Sequence, residues 1–443
     1  MLTDRGPLVG WAIATWVGLA AAAPAPALAQ LDFEKAPINY GQTASQDAVA
    51  ELAAALESGE QSLEYADGQG WLVSLLDKLQ VPRESQTLVF SKTSLQLHRI
   101  SPRTPRALYF NDDVYVGWCQ RGDVIELAAT DPQQGAVFYT LEQDPERPPR
   151  IIRDRGQCLT CHATHRTQGV PGYLVRSVYP DNNGRPRSGT RTYVTDHATD
   201  FSERFGGWYV SGKHGQMRHM GNVFAEDSSD PEALDREAGA NRGKLEDLFF
   251  TQPYLEPTSD LVALMILEHQ SQMHNLIARA NFETRIASYY DQSMNEALGR
   301  PAETVSDSTQ RRIAAAGEAL VRYLLMADEV PLPSPVDGLT TFAASFQSPD
   351  HPRWRADRQG RSLRELDLQT RLFKYPCSYL IYSAAFDALP PPMLEFVQRR
   401  MSEILTAETA PEGYERLSDA DRRAIHEILS DTKPGFLLGS QGA

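Results

Sequence analysis

Beyond Gln30 the chain has no apolar run long enough to span a bilayer, and no repeat at a fixed period. A membrane-spanning body and a repeat architecture are therefore not expected. Basic residues are in deficit: 43 Lys and Arg stand against 58 Asp and Glu, a net charge of -15. That balance disfavours nucleic acid or an anionic membrane as partner and suits solubility or a basic partner protein. Cysteine is scarce too, with four in 443 residues, and Cys119 and Cys377 stand alone. A tetrahedral zinc site would need a second pair of ligands at matching spacing. His165 could supply a third ligand, but the fourth has no obvious source. No substrate motif is recognisable.

What is present is one short run, Cys158-Leu159-Thr160-Cys161-His162. Cys-x-x-Cys-His reads as a c-type haem attachment site. Two thiols one short turn apart can each add to a haem vinyl group. The next residue, His162, is then held beneath the iron as proximal axial ligand. A thioredoxin-type pair would need a βαβ setting and gives the adjacent histidine no role. The run occurs once, so one haem c is expected.

The N-terminus agrees with that chemistry. Met1 to Ala29 holds an apolar stretch from Pro7 to Pro24, then Ala27-Leu28-Ala29 before Gln30. This is the pattern of a signal peptide with an A-x-A cleavage site, although Asp4 cancels Arg5 in the n-region. An uncleaved anchor is the competing reading; Pro24, Pro26 and the Ala-x-Ala favour cleavage after Ala29. A periplasmic or otherwise exported protein without stable membrane insertion is expected.

The remaining length supplies two or three cores by the usual domain size. Helices are expected over Ala48–Leu56 and Trp71–Leu79. Strands follow at Leu88–Phe90, Ala107–Phe110, Val114–Trp118, Val124–Ala128 and Ala136–Leu141, rich in β-branched and aromatic residues and separated by turn residues. Further strand-like pieces lie at Tyr173–Tyr179, Thr190–Val194 and Trp208–Val210. The polar stretch Glu226–Glu246, broken by Pro231 and Gly239, reads as a boundary or long surface loop. Beyond it helices are expected over Asp260–Asn281, Thr309–Ala327, Leu366–Phe386, Pro392–Leu405 and Asp419–Leu429. The simplest fold class is α+β: a signal peptide over 1–29, an α+β haem-bearing domain over 30–247 and an α-helical domain over 248–443, which may also pack with the first as one unit.

Four blocks look familiar: Phe110 to Trp118, Arg166 to Gly172, Gly206 to Val210 leading into His214 to Asn222, and Tyr375 to Tyr382. Together they resemble a group of large bacterial exported proteins labelled as cytochrome c domain-containing proteins. The resemblance spans most of the mature chain. It implies covalent haem on Cys158 and Cys161 with His162 as ligand, and it brings no established activity.

The sixth iron ligand separates a carrier from an enzyme. Methionine or histidine there suits electron transfer, whereas an open position permits substrate chemistry. Met217, Met220 and His219 lead the candidates, in a loop with glycines at Gly212, Gly215 and Gly221 that could approach a flat macrocycle. His269 and Met273 come second, spaced i, i+4 on one helix face with Met265, Leu276 and Ile277. The plainer reading makes Met265 and Met273 core filler and His269 a satisfied core histidine. Glu268 lacks the Glu-x-x-His spacing of di-iron bundles. His274 reads as facing elsewhere, and His197 and His165 as loop residues with no role at iron. Arg155, Arg166, Arg176 and Arg218 are candidate partners of the haem propionates. Arg218 beside His219 could instead form a distal pair for peroxide. Cys119 and Cys377 are either buried free thiols or a disulfide joining the two halves.

Three functions fit: an exported electron-transfer cytochrome with a redox partner protein, a haem oxidoreductase acting on a peroxide or nitrogen oxide, or a gas or redox sensor. Electron transfer is the leading expectation. A carrier needs only about 100 residues, so this chain is oversized for that task alone.

Overall fold

The computed structural model describes residues 32–226 and 229–438. The expected leader, Met1 to Ala29, lies outside them. Seven strands form one antiparallel sheet: β1 (Thr87–Val89), β2 (Arg106–Phe110), β3 (Val114–Trp118), β4 (Val124–Asp131), β5 (Gly135–Glu142), β6 (Ile151–Arg153) and, after two short strands β7 (Arg176–Val178) and β8 (Thr192–Val194), β9 (Trp208–Tyr209). Their order is β6-β5-β4-β3-β2-β1-β9, a meander closed at one edge by β9. Turn chemistry sets the register. Asn111 Oδ1 accepts from the N–H groups of Asp113 and Val114 between β2 and β3. Asp131 Oδ1 does the same for Gln133 and Gln134 before Gly135, whose φ of 70° only glycine adopts without strain.

Alternation gives the sheet two apolar faces. Val114, Val116, Ile125, Leu127 and Val137 pack on helices α1 (Ala48–Ser58) and α2 (Leu72–Lys78). Phe110, Tyr115, Ala128 and Phe138 point the other way. There they meet the segment around α3 (Leu159–His162), Tyr173 and Val175, and a long helix. Every residue of β3 is buried, as expected of a strand covered on both faces.

After the short α4 (Arg236–Gly239) comes that helix, α5 (Leu261–Leu298), 38 residues and about 57 Å long. The spacing predicts its start well, but the helix runs on past Asn281. Phe282, Ile286 and Ala287 prolong the buried stripe, and no glycine or proline intervenes before Gly299, which caps it at φ 63°. Helices α6 (Asp307–Leu324), α7 (Phe342–Phe346), α8 (Ala384–Asp387), α9 (Pro391–Thr406) and α10 (Asp419–Thr432) complete the chain, with α6, α7, α8 and α9 all packed on α5.

The architecture is α+β. One apolar cluster takes in Tyr115 and Phe138 from the sheet together with Leu264, Phe373 and Ile428 from the helical half, so residues 30–247 and 248–443 share a core. In the stretch expected as a boundary, Glu226–Glu246, residues 229–246 are mostly at the surface and include α4, with Gly239 and Leu245 buried. One helix expectation fails. Leu366–Phe386 is a turn with Leu368 at φ 57°, a β-bridge from Leu366 to Phe373, a 3₁₀ turn over Tyr379–Tyr382, and then α8. Pro376 interrupts it, Asp367 ties off the turn by accepting from Thr370, and Ser378 and Ser383 cap fresh starts. Its apolar residues are buried on all sides rather than along one stripe. Cys119 and Cys377 are both buried and free. Among the described residues no helix is long and apolar enough to cross a membrane.

Asp260 fastens the start of α5. Its Oδ1 accepts from Val262 and Ala263, and its Oδ2 from the N–H groups of Leu339 and Thr340 and from the Thr340 hydroxyl. Asp260→Ala would strip all five bonds at a fully buried site, so urea denaturation should show a loss of about 2–4 kcal/mol. Asp260→Asn, which keeps an acceptor for the helix, should lose clearly less. Equal losses would contradict a double anchoring role.

Candidate functional site

The Cys-x-x-Cys-His run forms α3, a single turn. Asp154 Oδ2 fixes its start by accepting from the N–H groups of Gly156 and Cys158. The turn closes with the His162 N–H on the Cys158 carbonyl, 2.9 Å. Cys158 is half-buried and Cys161 exposed, and both are free.

His162 is held by two bonds to one residue. Its carbonyl accepts from the Gly172 N–H at 2.8 Å, and its Nδ1 lies 3.0 Å from the Gly172 carbonyl. A carbonyl only accepts, so Nδ1 carries the proton, and the neutral ring keeps its lone pair at Nε2. Burial pushes the imidazole pKa down, which keeps it neutral. The Phe138 ring flanks it at 4.9 Å.

Gly172 is pinned by α5. A Cβ there would meet Asn275 Oδ1 at 2.2 Å. That same oxygen accepts from the Tyr173 N–H at 2.7 Å, and Asn275 Nδ2 donates to the Tyr173 carbonyl at 2.8 Å. Asn275 thus pairs with the backbone as a neighbouring strand would, and so sets the position of His162.

The other chemistries of the motif fare poorly. Burial first, then Asp154, pushes the Cys158 thiol up to about 12, whereas a redox-active thiol needs a depressed value. The flanking strands are antiparallel and not a βαβ unit. Among the described residues no group of three or more His, Cys, Asp or Glu side chains could hold a metal ion, and His165 is exposed.

Of the candidate arginines, Arg176 has the strongest setting. It feels the charges of both Arg166 and Cys161, and its buried Nε has no partner. Arg166 and Arg155 are exposed. Arg218 is committed elsewhere, with a bidentate pair to Glu237 at 2.7 Å and bonds to the carbonyls of Gly215 and Met217. Sequence reasoning missed a further pair, Arg106 and Glu126, 2.5 Å apart on β2 and β4 and electrostatically coupled to both Cys158 and His162. Arg106 lies across Gly117, where a Cβ would come within 2.1 Å of its Nη2. Gly117 in an otherwise bulky strand was the available signal.

The candidate distal ligands are all buried. Met217 is buried in the main core, and Met220 is buried with its sulfur 3.6 Å from the Ser177 hydroxyl. His219 Nδ1 accepts from the Gly221 N–H, and burial pushes its pKa down to about 3. Met273 is fully buried. His269 uses both nitrogens: Nδ1 lies 2.9 Å from His197 Nδ1, and Nε2 lies 2.8 Å from the Ser378 hydroxyl.

His197 lies in a turn, as expected, but takes part in the buried interior. It is buried against His269 and stacks on Tyr323 at 4.0 Å. His274, too, is buried, with Nε2 on the Asp112 carbonyl at 2.8 Å. Beside His269, Glu268 lies 3.5 Å from Arg204 with both carboxylate oxygens buried and lacking hydrogen-bond partners. His197 Nε2 and the Thr195 hydroxyl are also buried and unpartnered. Chain-distant residues meet here, which is why sequence spacing gave no sign of it.

No protein-family model, curated protein or solved structure matches this chain significantly.

Burial pushes the Glu268 carboxyl up to about 7 from 4.5, against the pull of Arg204. Between those values the folded state holds a proton that the unfolded chain has released, so this residue's contribution to stability falls as pH rises. Glu268→Gln removes that term. Chemical denaturation at pH 5 and pH 8 should show the variant gaining on the wild type by about 1–3 kcal/mol at the higher pH. The same difference at both values would contradict a carboxyl that is protonated in the fold at pH 5.

Proposed function

We propose that this chain is an exported c-type cytochrome that works in electron transfer, with one haem c joined to Cys158 and Cys161 and His162 as the proximal iron ligand. The observation that carries this reading is the bond from His162 Nδ1 to the Gly172 carbonyl. A proximal histidine needs its second nitrogen on an acceptor, which fixes the tautomer and raises ligand basicity. The donor set also fits: two unbridged thiols on one turn, a neutral imidazole next to the second, and a buried Arg176 Nε lacking a partner near Cys161, suited to a propionate. When bound, haem supplies a one-electron redox centre. The chain orients it through Gly172 and Asn275, and Phe138 shields the ring of His162.

The signal-peptide pattern of the first residues supports export, where haem attachment and an acidic surface facing a basic redox partner make sense together. The likeness to cytochrome c domain-containing proteins points the same way. A second reading, a haem oxidoreductase acting on a small molecule, is favoured by one observation. Each histidine and methionine ranked for the sixth position is buried, and His269 already uses both nitrogens.

Spectra of the purified ferric and ferrous protein, with and without carbon monoxide, decide between them. A low-spin centre indifferent to carbon monoxide is expected for the carrier, and a high-spin ferric centre that binds the gas on reduction would establish the second reading. In either case the haem should resist extraction into acidified organic solvent, and Cys158→Ala with Cys161→Ala should release it. A purified wild-type protein without covalent haem would overturn the proposal.

A further inference from the structure

At the Asn111–Asp113 end of the sheet a cavity of about 320 Å³ opens between β2, α7 and residues 351–364. Arg106, beside the haem motif, and Phe110, in this cavity, sit at opposite ends of β2, about 13 Å apart. Phe110, Phe342 and Phe346 give the cavity apolar walls, and His351, Arg353 and Arg364 converge on it. That combination of size and lining is typical of a small-molecule site.

The polar groups do not balance. Arg364 is buried between the rings of Phe346 and Tyr379, at 4.1 and 4.7 Å. Its Nε donates to the Phe346 carbonyl, and its Nη1 to both oxygens of Asp112. Its Nη2 is aimed at His351 Nε2, 3.1 Å away. The backbone N–H of Arg353 is aimed at the other nitrogen of the same ring, Nδ1, also at 3.1 Å. A neutral imidazole has one acceptor nitrogen and one N–H, and an imidazolium has no acceptor at all. Burial and then Arg364 push the His351 pKa down to about 4, so the neutral form prevails. One of the two donors is therefore unmatched. Arg353, half-exposed, offers the cavity a further donor: Asp113 takes its Nη2, and its Nη1 lies 3.8 Å from Asp112 Oδ2.

We infer that this cavity binds a small organic carboxylate, its apolar body against Phe110, Phe342 and Phe346 and its two oxygens on Arg353 and the donor that His351 leaves unmatched. A carboxylate fits a guanidinium fork in plane and brings one negative charge. A phosphate would bring nearly two, close to Asp112 and Asp113, which already share these arginines. This inference stands independently of the haem reading.

Phenylacetate is a suitable probe, titrated calorimetrically into the full chain with phenylacetamide and inorganic phosphate as comparisons. Saturable binding of phenylacetate is expected, about tenfold tighter than that of the amide, the worth of one charge-assisted hydrogen bond. Arg353→Gln should abolish the preference for the acid, with an unchanged thermal midpoint showing that the protein is folded. Should that variant unfold, Arg353→Lys keeps the charge without the fork and should weaken phenylacetate binding alone. Equal binding of acid and amide, phosphate binding as tightly as phenylacetate, or no saturable heat at millimolar probe would each overturn the inference. So would unchanged phenylacetate binding in the folded Arg353 variants.

Discussion

The rest of the structure depends on one constraint: α5 carries polar side chains through the buried interior, shielded from bulk solvent. Burying a polar group without a partner costs a few kcal/mol, so each of these groups must find one. Most find theirs on a different element. Gln270 donates to the Asn111 carbonyl and Tyr115 hydroxyl and accepts from Tyr379. His274 takes the Asp112 carbonyl, Asn275 both backbone groups of Tyr173, and Asn281 the Ala388 carbonyl. Arg285 reaches the carbonyls of Gln133 and Pro37. The sheet, the loop after the Cys158 to His162 turn and the C-terminal segments are each registered against the same rod.

That arrangement places two dissimilar sites on one scaffold. Gln270 lines the cavity beside Arg353 and Arg364, and its donor group holds Tyr115 at 2.8 Å. Tyr115 lies 4.2 Å, ring to ring, from Tyr173, and Tyr173 follows Gly172, whose carbonyl takes His162 Nδ1. The contacts run unbroken from the cavity to the imidazole. Two groups on α5 are exceptions: the Glu268 oxygens, beside Arg204, and His274 Nδ1 are buried without a hydrogen-bond partner.

Legibility in the sequence followed the range of the causes. The strands from Thr87 to Glu142 were readable because alternation and the Asn111 and Asp131 turns are local. Both N-terminal helices and the start of α5 were readable for the same reason, through local apolar spacing, although the cap expected at Thr258 or Ser259 is supplied by Asp260. Leu366–Phe386 was misread because an apolar run buried on every side has no diagnostic period, and local serine and aspartate bonds decided its path. The motif at Cys158 to His162 was visible, but not the Gly172 carbonyl and Asn275 that fix the ring of His162. His197 meets His269 across 72 positions, and Arg364 meets Asp112 across 252. No spacing rule spans such gaps.

The length of polypeptide beyond the Cys158 to His162 motif also has a structural account. The turn at α3 has little core of its own: Cys161 is exposed, and Cys158 and Leu159 only lean on the main cluster. Its geometry is imposed by Gly172, and Gly172 is placed by Asn275. A side chain can impose that geometry only from a rigid helix, and α5 is buried almost all round from Leu261 to Ile277. Such a helix needs apolar cover on the side away from the sheet. Helices α6, α8 and α9 provide it, with Leu320, Phe386 and Val397 fully buried. The helical half is thus the backing that lets α5 hold the imidazole of His162. Its first obligation is to the motif, and the cavity at Arg353 occupies ground that this backing had already made rigid.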